Sequence, residues 1–309
     1  MRIITVTLNP AFDVHCTGKE LTLYHENFVK AAKVDAGGKG INLSRALIAN
    51  EIANETVVLV GKENGDAYQN ALMADGLTVV SVVTEGRIRE NITIHEAGLP
   101  ETRISFDGFS CSASILQEVA RRIGKVDENT VIAFTGSAAE GIDPDSILEF
   151  LGAFQSQGAK IIIDSRSIPF PKLMAFQPWL IKPNQEEAAI YAGRNVEKPE
   201  DALSIAREFQ QAGIDNVLLT LGGDGAVLAC KEGVFRATVP AVDARSTIGA
   251  GDSTIAGFIA GTIGGLNTED VLKRAVAYGT AACMQEGTLP PDKDDIQNIE
   301  QRILVAKMP

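Results

Sequence analysis

Cysteine, histidine and tryptophan are all scarce in this chain of 309 residues, with four, three and one copies respectively. Cys16, Cys111, Cys230 and Cys283 form no C-x-x-C pair. That pattern suits reduced, mostly buried thiols in the cytoplasm rather than a disulfide framework. His15, His25 and His95 belong to no H-E-x-x-H or Cys/His cluster. Neither a His-ligated zinc site nor a Ser-His-Asp hydrolase is therefore expected. Positive charge is short as well: 28 Lys and Arg against 40 Asp and Glu leave a net charge of −12. So acidic a surface repels nucleic-acid phosphates and anionic lipid, and no partner of either kind is expected. Small anions stay open, since a few local cations and backbone amides can hold them. Long apolar runs are missing too. The uncharged stretch 253–268 contains Gly257-x-x-x-Gly261-x-x-x-Gly265 but falls short of a membrane span. The N-terminal residues run straight into Asn9-Pro10 without a secretory signal pattern.

What is present reads as alternating strands and helices. Ile3 to Leu8, Thr56 to Val60 and Leu77 to Val83 are β-branched runs, separated by helical patterns from Ile41 and from Asp66. The alternation resumes with strands at 131–134, 160–164, 179–181 and 216–221, and with helices at 114–123, 144–155, 184–192 and from Pro199. Ala226 to Cys230 and Val234 to Val239 read as an antiparallel pair, and three helices follow, from about Gly251, Glu269 and Asp294. This order predicts a three-layer α/β/α domain around a mostly parallel sheet. Two segments break the rhythm. Residues 12–34 and 88–108, the latter a hairpin around Gly98-Leu99-Pro100, predict a small inserted β-sheet serving as a lid on one domain spanning 1–309.

Three glycine-rich turns stand near strand ends: Gly37-Gly38-Lys39-Gly40, Gly222-Gly223-Asp224-Gly225 and Gly249-Ala250-Gly251-Asp252. None has the third glycine of G-x-G-x-x-G, so the dinucleotide fingerprint fails at each. Gly40 follows Gly38-Lys39 where a Walker A loop needs Ser or Thr. The third turn opens an uncharged helix. Small residues there let the backbone approach a ligand, and the free amides and dipole of the helix N-terminus favour a phosphoryl group. Asp252 would stand beside that anion hole, facing an attacking hydroxyl. Its plainer reading is the cap of a buried helix.

Gly249-Ala250-Gly251-Asp252-Ser253, Gly37-Gly38-Lys39-Gly40-Ile41-Asn42 and Lys182-Pro183-Asn184-x-x-Glu187 together resemble, in order, the motifs of the ribokinase-like (PfkB) carbohydrate kinases. Thr7-Leu8-Asn9-Pro10-Ala11-Phe12-Asp13, Phe106-Asp107-Gly108-Phe109 and Pro178-Trp179-Leu180-Ile181 are similar to the branch holding the 1-phosphofructokinases and tagatose-6-phosphate kinases. The resemblance implies Asp252 as catalytic base, with Gly249, Ala250 and Gly251 offering amides to the transferring phosphoryl group. It implies Asn184 and Glu187 as organisers of Mg²⁺, against a plain reading as N-cap and first-turn carboxylate. Lys39, Arg89 and Arg103 become candidates to clamp the phosphate already on the sugar, although Arg103 also reads as an exposed hairpin charge. Asp13, Gly38, Asn42, Asn91 and Ser137 fall on the sugar side, with an Asx-turn as the alternative for Asp13. Gly222, Gly225, Ser246 and Thr247 fall on the ATP side, with a simple hairpin turn as the alternative for both glycines.

Two departures from the family pattern concern the sugar. Ala138-Ala139-Glu140 stands where a Leu-Pro-x stretch is usual, and Glu140 and Glu90 bring negative charge towards a phosphate-binding region. The implied activity is ATP- and Mg²⁺-dependent phosphorylation of a ketohexose monophosphate, fructose 1-phosphate before tagatose 6-phosphate. The resemblance also implies a homodimer through the lid. A non-catalytic sugar-phosphate sensor is the competing class, and the intact Gly249-to-Asp252 turn argues against it.

Overall fold

The computed structural model describes residues 1–18, 21–96 and 101–309. Strand β1 (Arg2–Thr7) leads into two strands of a separate sheet, β2 (Ala11–Gly18) and β3 (Val29–Gly37). Helix α1 (Lys39–Ile48), strand β4 (Glu55–Gly61), helix α2 (Gly65–Ala74) and strand β5 (Thr78–Thr84) begin the alternation. Strands β6 (Arg89–Glu96) and β7 (Thr102–Ser105) return to the small sheet. Next come α3 (Ile115–Ile123), β8 (Thr130–Thr135), α4 (Pro144–Gln155), β9 (Lys160–Asp164) and α5 (Phe170–Phe176). They are followed by β10 (Leu180–Ile181), α6 (Gln185–Ala192), α7 (Pro199–Gln211) and β11 (Asn216–Thr220). The hairpin β12 (Ala226–Cys230) and β13 (Gly233–Ala237) precedes α8 (Ala250–Ile263), α9 (Thr268–Cys283), α10 (Lys293–Glu300) and the edge strand β14 (Val305–Met308).

The large sheet runs β14-β13-β12-β11-β10-β9-β8-β1-β4-β5. From β5 to β11 every pairing is parallel, and the last three strands are antiparallel. Parallel strands carry helices on both faces, so their residues alternate between two apolar layers. In β9, Ile161 and Ile163 face one core with helices α2 to α7, while Ile162 faces the other with α1, α8, α9 and α10. This is the three-layer arrangement the sequence predicts. The glycine spacing in α8 serves helix packing here. A Cβ on Gly257 would lie 2.6 Å from the Arg274 carbonyl of α9. No described helix is long and apolar enough to cross a membrane.

The small sheet runs β3-β2-β6-β7, from the two segments that break the alternation. β2 and β6 pair in parallel, setting Asp13 opposite Asn91. β6 and β7 pair antiparallel, as the predicted hairpin requires. Its turn, Gly98-Leu99-Pro100, lies outside the described residues. All four cysteines are free. Helices α1 and α8 share one property. Each opens on a glycine (Gly38, φ 139°; Gly249, φ 79°) with no side chain capping the first amides. By contrast, α4, α9 and α10 are capped by Asp143, Asn267 and Asp292.

Candidate active site

The carboxyl ends of parallel strands are where a sheet of this kind leaves a crevice, because the chain turns away from each strand there. A cavity of about 540 Å³ lies there, entered by Thr7 at the end of β1 and Asn9 after it, by Thr135 at the end of β8 with Gly136 and Ser137 after it, and by Asp164 at the end of β9. Lys182 and Asn184 after β10, and Thr220 at the end of β11, reach the same space. The first turns of α1 and α8 and the small sheet supply the remaining walls.

At α8, Gly249, Gly251 and Asp252 line the cavity, while Ala250 is not among its lining residues. Asp252 is 4% exposed, and Asn42 of α1 donates to its Oδ2 at 3.0 Å. Burial pushes its carboxyl up to about 7, the nearby Asp164 adding to the rise, while Lys39, Lys182 and the Asn42 hydrogen bond pull the other way. A carboxylate balanced near neutrality at a helix N-terminus can accept a proton. The N-cap position of α8 is Gly249, and the hydrogen-bond partner of the Asp252 side chain is Asn42 of α1.

On the small sheet, Asn91 donates to Asp13 Oδ1 at 2.9 Å, and Arg103 reaches the same oxygen at 3.5 Å. Arg89 donates to the Asn9 carbonyl at 3.5 Å, and its Nε is buried without a partner. Burial holds Arg89 below the ordinary guanidinium range; Asp13 opposes this and Arg103 adds to it. A partly buried guanidinium with an exposed one near it, facing the single carboxylate of Asp13, favours a further anion. Thr7 Oγ1, Asn9 Oδ1, Asn42 Oδ1, Asn91 Oδ1 and Thr135 Oγ1 are also buried without partners, all on cavity-lining residues. So many orphaned donors and acceptors around one space suit a polyhydroxylated ligand.

Lys39 lines the same cavity as Arg89 and Arg103, and its Nζ donates to Asp164 Oδ2 at 3.1 Å. Burial works against its charge, yet Asp164, Asp252 and Glu187 together hold it above the ordinary lysine value. Asp164 and Lys182, to which the sequence motifs assign no site role, also line the cavity. The available signal was position: each directly follows a buried strand run, where α/β sheets carry their sites.

Asn184 and Glu187 form the capping box of α6, each side chain accepting from the other's backbone amide at 2.8 and 3.1 Å. The plain reading is thus present, and both residues also line the cavity. Arg166 donates to Glu187 Oε1 at 2.9 Å. Among the described residues no three His, Cys, Asp or Glu side chains are placed to enclose a metal. One carboxylate and one amide oxygen fit a magnesium ion that keeps most of its own water.

Of the nucleotide-side residues, Gly222, Gly225, Ser246 and Thr247 do not line this cavity. Gly222 opens a 3₁₀ turn just after β11. Gly225, at φ 96°, sits where a Cβ would meet the Ala237 carbonyl at 2.0 Å, so the hairpin alone requires glycine there. Ser246 Oγ accepts from the Ile248 amide at 3.2 Å, shaping the turn before Gly249. Glu140 is exposed and Glu90 is turned onto Arg87 at 2.9 Å, and neither lines the cavity. The negative charge expected from them is therefore kept away from the site.

The pfkB family carbohydrate kinase model matches residues 17–295. The chain belongs to that family. This kinase is 30% identical over 303 residues to the 1-phosphofructokinase of Escherichia coli K12, covering 98% of this chain and 97% of that protein. It is 28% identical to the 1-phosphofructokinase of Bacillus subtilis, covering 92% and 93%. A crystal structure of phosphofructokinase-2 from Escherichia coli in complex with substrates and products superposes with a TM-score of 0.90 at 25% identity, covering 98% and 99%. That of a Staphylococcus aureus protein described as a putative phosphofructokinase gives 0.85 at 26% identity, covering 99% of each chain. The protein is a sugar-phosphate kinase of the pfkB family, a transferase with a hydroxyl acceptor.

Proposed function

We propose that this kinase moves the γ-phosphoryl group of ATP to the free primary hydroxyl of a ketohexose monophosphate. Fructose 1-phosphate, giving fructose 1,6-bisphosphate, is the first choice of acceptor and tagatose 6-phosphate the second. One observation carries the reading: a single cavity holds both a buried carboxylate at the α8 N-terminus and two arginines of the small sheet, Arg89 and Arg103, that share one carboxylate, Asp13. Asp252 takes the hydroxyl proton as that oxygen attacks the γ-phosphorus. The bond to the bridging oxygen breaks and ADP leaves. The amides of Gly249, Ala250 and Gly251 stabilise the transferring group. Asp13, Gly38, Asn42, Asn91 and Ser137 orient the sugar, and Arg89 with Arg103 binds its phosphate. Gly222, Gly225, Ser246 and Thr247 flank the adenosine side, and Asn184 with Glu187 would hold Mg²⁺, which neutralises phosphate charge when bound.

In this reading residues 1–309 form one kinase domain, and the four-stranded sheet is its lid, which excludes water during transfer. The test is ADP release with Mg·ATP and fructose 1-phosphate, tagatose 6-phosphate, fructose 6-phosphate or fructose. A kcat/KM preference for fructose 1-phosphate is expected. Absence of turnover with all four, in folded protein that binds ATP, would favour the sensor. In the same assay Arg89→Ala is expected to raise KM for the sugar phosphate roughly 10- to 100-fold with little change in kcat. An unchanged KM removes Arg89 from the clamp.

The lid also leaves apolar side chains in solvent. Tyr24 is 101% and Phe28 84% exposed, with Val34, Ile104 and Phe106 also open. We read this as the face on which two copies pair, making the kinase a homodimer through its lids. Sedimentation at micromolar concentration is expected to show a dimer that Phe28→Glu dissociates. A wild-type monomer throughout that range would refute the pairing.

A further inference from the structure

Asp164 is a nearly sealed carboxylate, 6% exposed, at the end of β9. Its two oxygens face two different lysines. Lys39 Nζ from α1 donates to Oδ2 at 3.1 Å, and Lys182 Nζ, following β10, stands 3.8 Å from Oδ1. Lys182 is itself only 5% exposed. The Lys182 ammonium lies against the first turn of α8, since a Cβ placed on Gly251 would sit 3.0 Å from its Nζ. Both lysines line the cavity together with Asp252.

We propose that Asp164 is a positioning residue that fixes Lys39 and Lys182 on two sides of the site of phosphoryl transfer. The proposal rests on the kinase reading above. A lysine ammonium is a point charge on a flexible stem, so its value to a transition state depends on being held before the reaction begins. One carboxylate between two ammoniums leaves a net single positive charge beside the free amides of α8. That balance attracts a phosphoryl group without locking the lysines away from it. Other charged groups are at hand. Arg166, after β9, also acts on Asp164, and Glu187 and Tyr191 of α6 lie beyond. Asp252 is faced by Asn42 and Lys39 of α1, by Asp164 and by Lys182.

The test is a double-mutant cycle on the full-length kinase with Mg·ATP and its best sugar phosphate. Asp164→Asn and Lys182→Met are each expected to lower kcat by roughly 10- to 100-fold, and the double variant is expected to be no slower than the slower single. Multiplying losses would overturn the proposal. Asp164→Glu keeps the charge and moves it by one methylene, and it guards against a misfolded Asn variant. It is expected to lose kcat while keeping the acid limb of the kcat–pH profile, whereas Asp164→Asn moves that limb to lower pH. Wild-type kcat in folded Asp164→Glu would also overturn it. If the wild type itself makes no ADP, the kinase reading has failed. If the wild type turns over and Asp164→Asn matches it, only this proposal has failed.

Discussion

Asp252→Asn is expected to cut kcat by about 10³-fold or more, leaving sugar-phosphate binding nearly intact, and at the same time to make the protein harder to unfold. The two effects have one cause. Burial raises the Asp252 carboxyl to about 7, so the folded state resists its ionisation. Between the unfolded carboxylate range and pH 7 the folded state binds the extra proton, and stability from this group falls as pH rises. Above pH 7 the whole penalty is present. Asparagine removes it while still accepting from Asn42. Melting curves at pH 8 should therefore place the variant above the wild type by several degrees, the gap closing towards pH 4. In the wild type, turnover should fall as pH drops through about 7, because Asp252 must be ionised to act. Near-normal turnover in Asp252→Asn would remove it as the base.

The second large effect is expected from a single methyl group. In Gly37→Ala the new Cβ would stand 1.9 Å from Asp13 Oδ2 and 2.8 Å from its Cγ. The backbone has little room to retreat, because the buried Tyr68 hydroxyl donates to the Gly37 carbonyl at 2.6 Å. Asp13 has to swing away instead, giving up Asn91 and Arg103. Losing those oriented, charge-assisted bonds is expected to lower kcat/KM for the sugar phosphate about 100-fold, with KM for ATP almost unchanged. Steady-state kinetics on the folded variant checks this. A wild-type kcat/KM would show that Asp13 does not orient the acceptor.

Much of the fold was open to reading because buried parallel strands leave a plain trace. Runs such as Lys160 to Asp164 and Asn216 to Leu221 have apolar, β-branched or leucine-rich centres, and helix starts such as Pro144 and Pro199 mark themselves. Two elements left no such trace. α5 carries Pro171 in its first turn and buries only Leu173 fully, so no apolar stripe announces it. β14 is a four-residue edge strand whose Val305-Ala306-Lys307-Met308 shows no clear alternation.

The site divides in the same way. Glycine turns and the Asn184/Glu187 spacing are local patterns, and the sequence displays them. The pairing of Lys39 with Asp164 joins residues 125 positions apart and depends on which strands become neighbours. The resemblance groups Lys39 with Arg89 and Arg103, whereas its contact with Asp164 is visible only once the sheet order is known. Gly225 shows that a motif glycine can have a second, purely structural reason, since a Cβ there would meet the Ala237 carbonyl.

The bare glycine starts of α1 and α8 carry one more meaning. Helices α4, α6, α9 and α10 complete their first turn with a side chain of their own; α1 and α8 start on glycine, which has none to offer. In the proposed reading, the phosphoryl group in transfer would partner the first amides of α8. Since ten residues of α8 are buried, its first turn is tied to the core behind it. In the proposed reading occupancy and sturdiness rise together, so the melting temperature of the kinase climbs with the concentration of the ligand that fills the pocket.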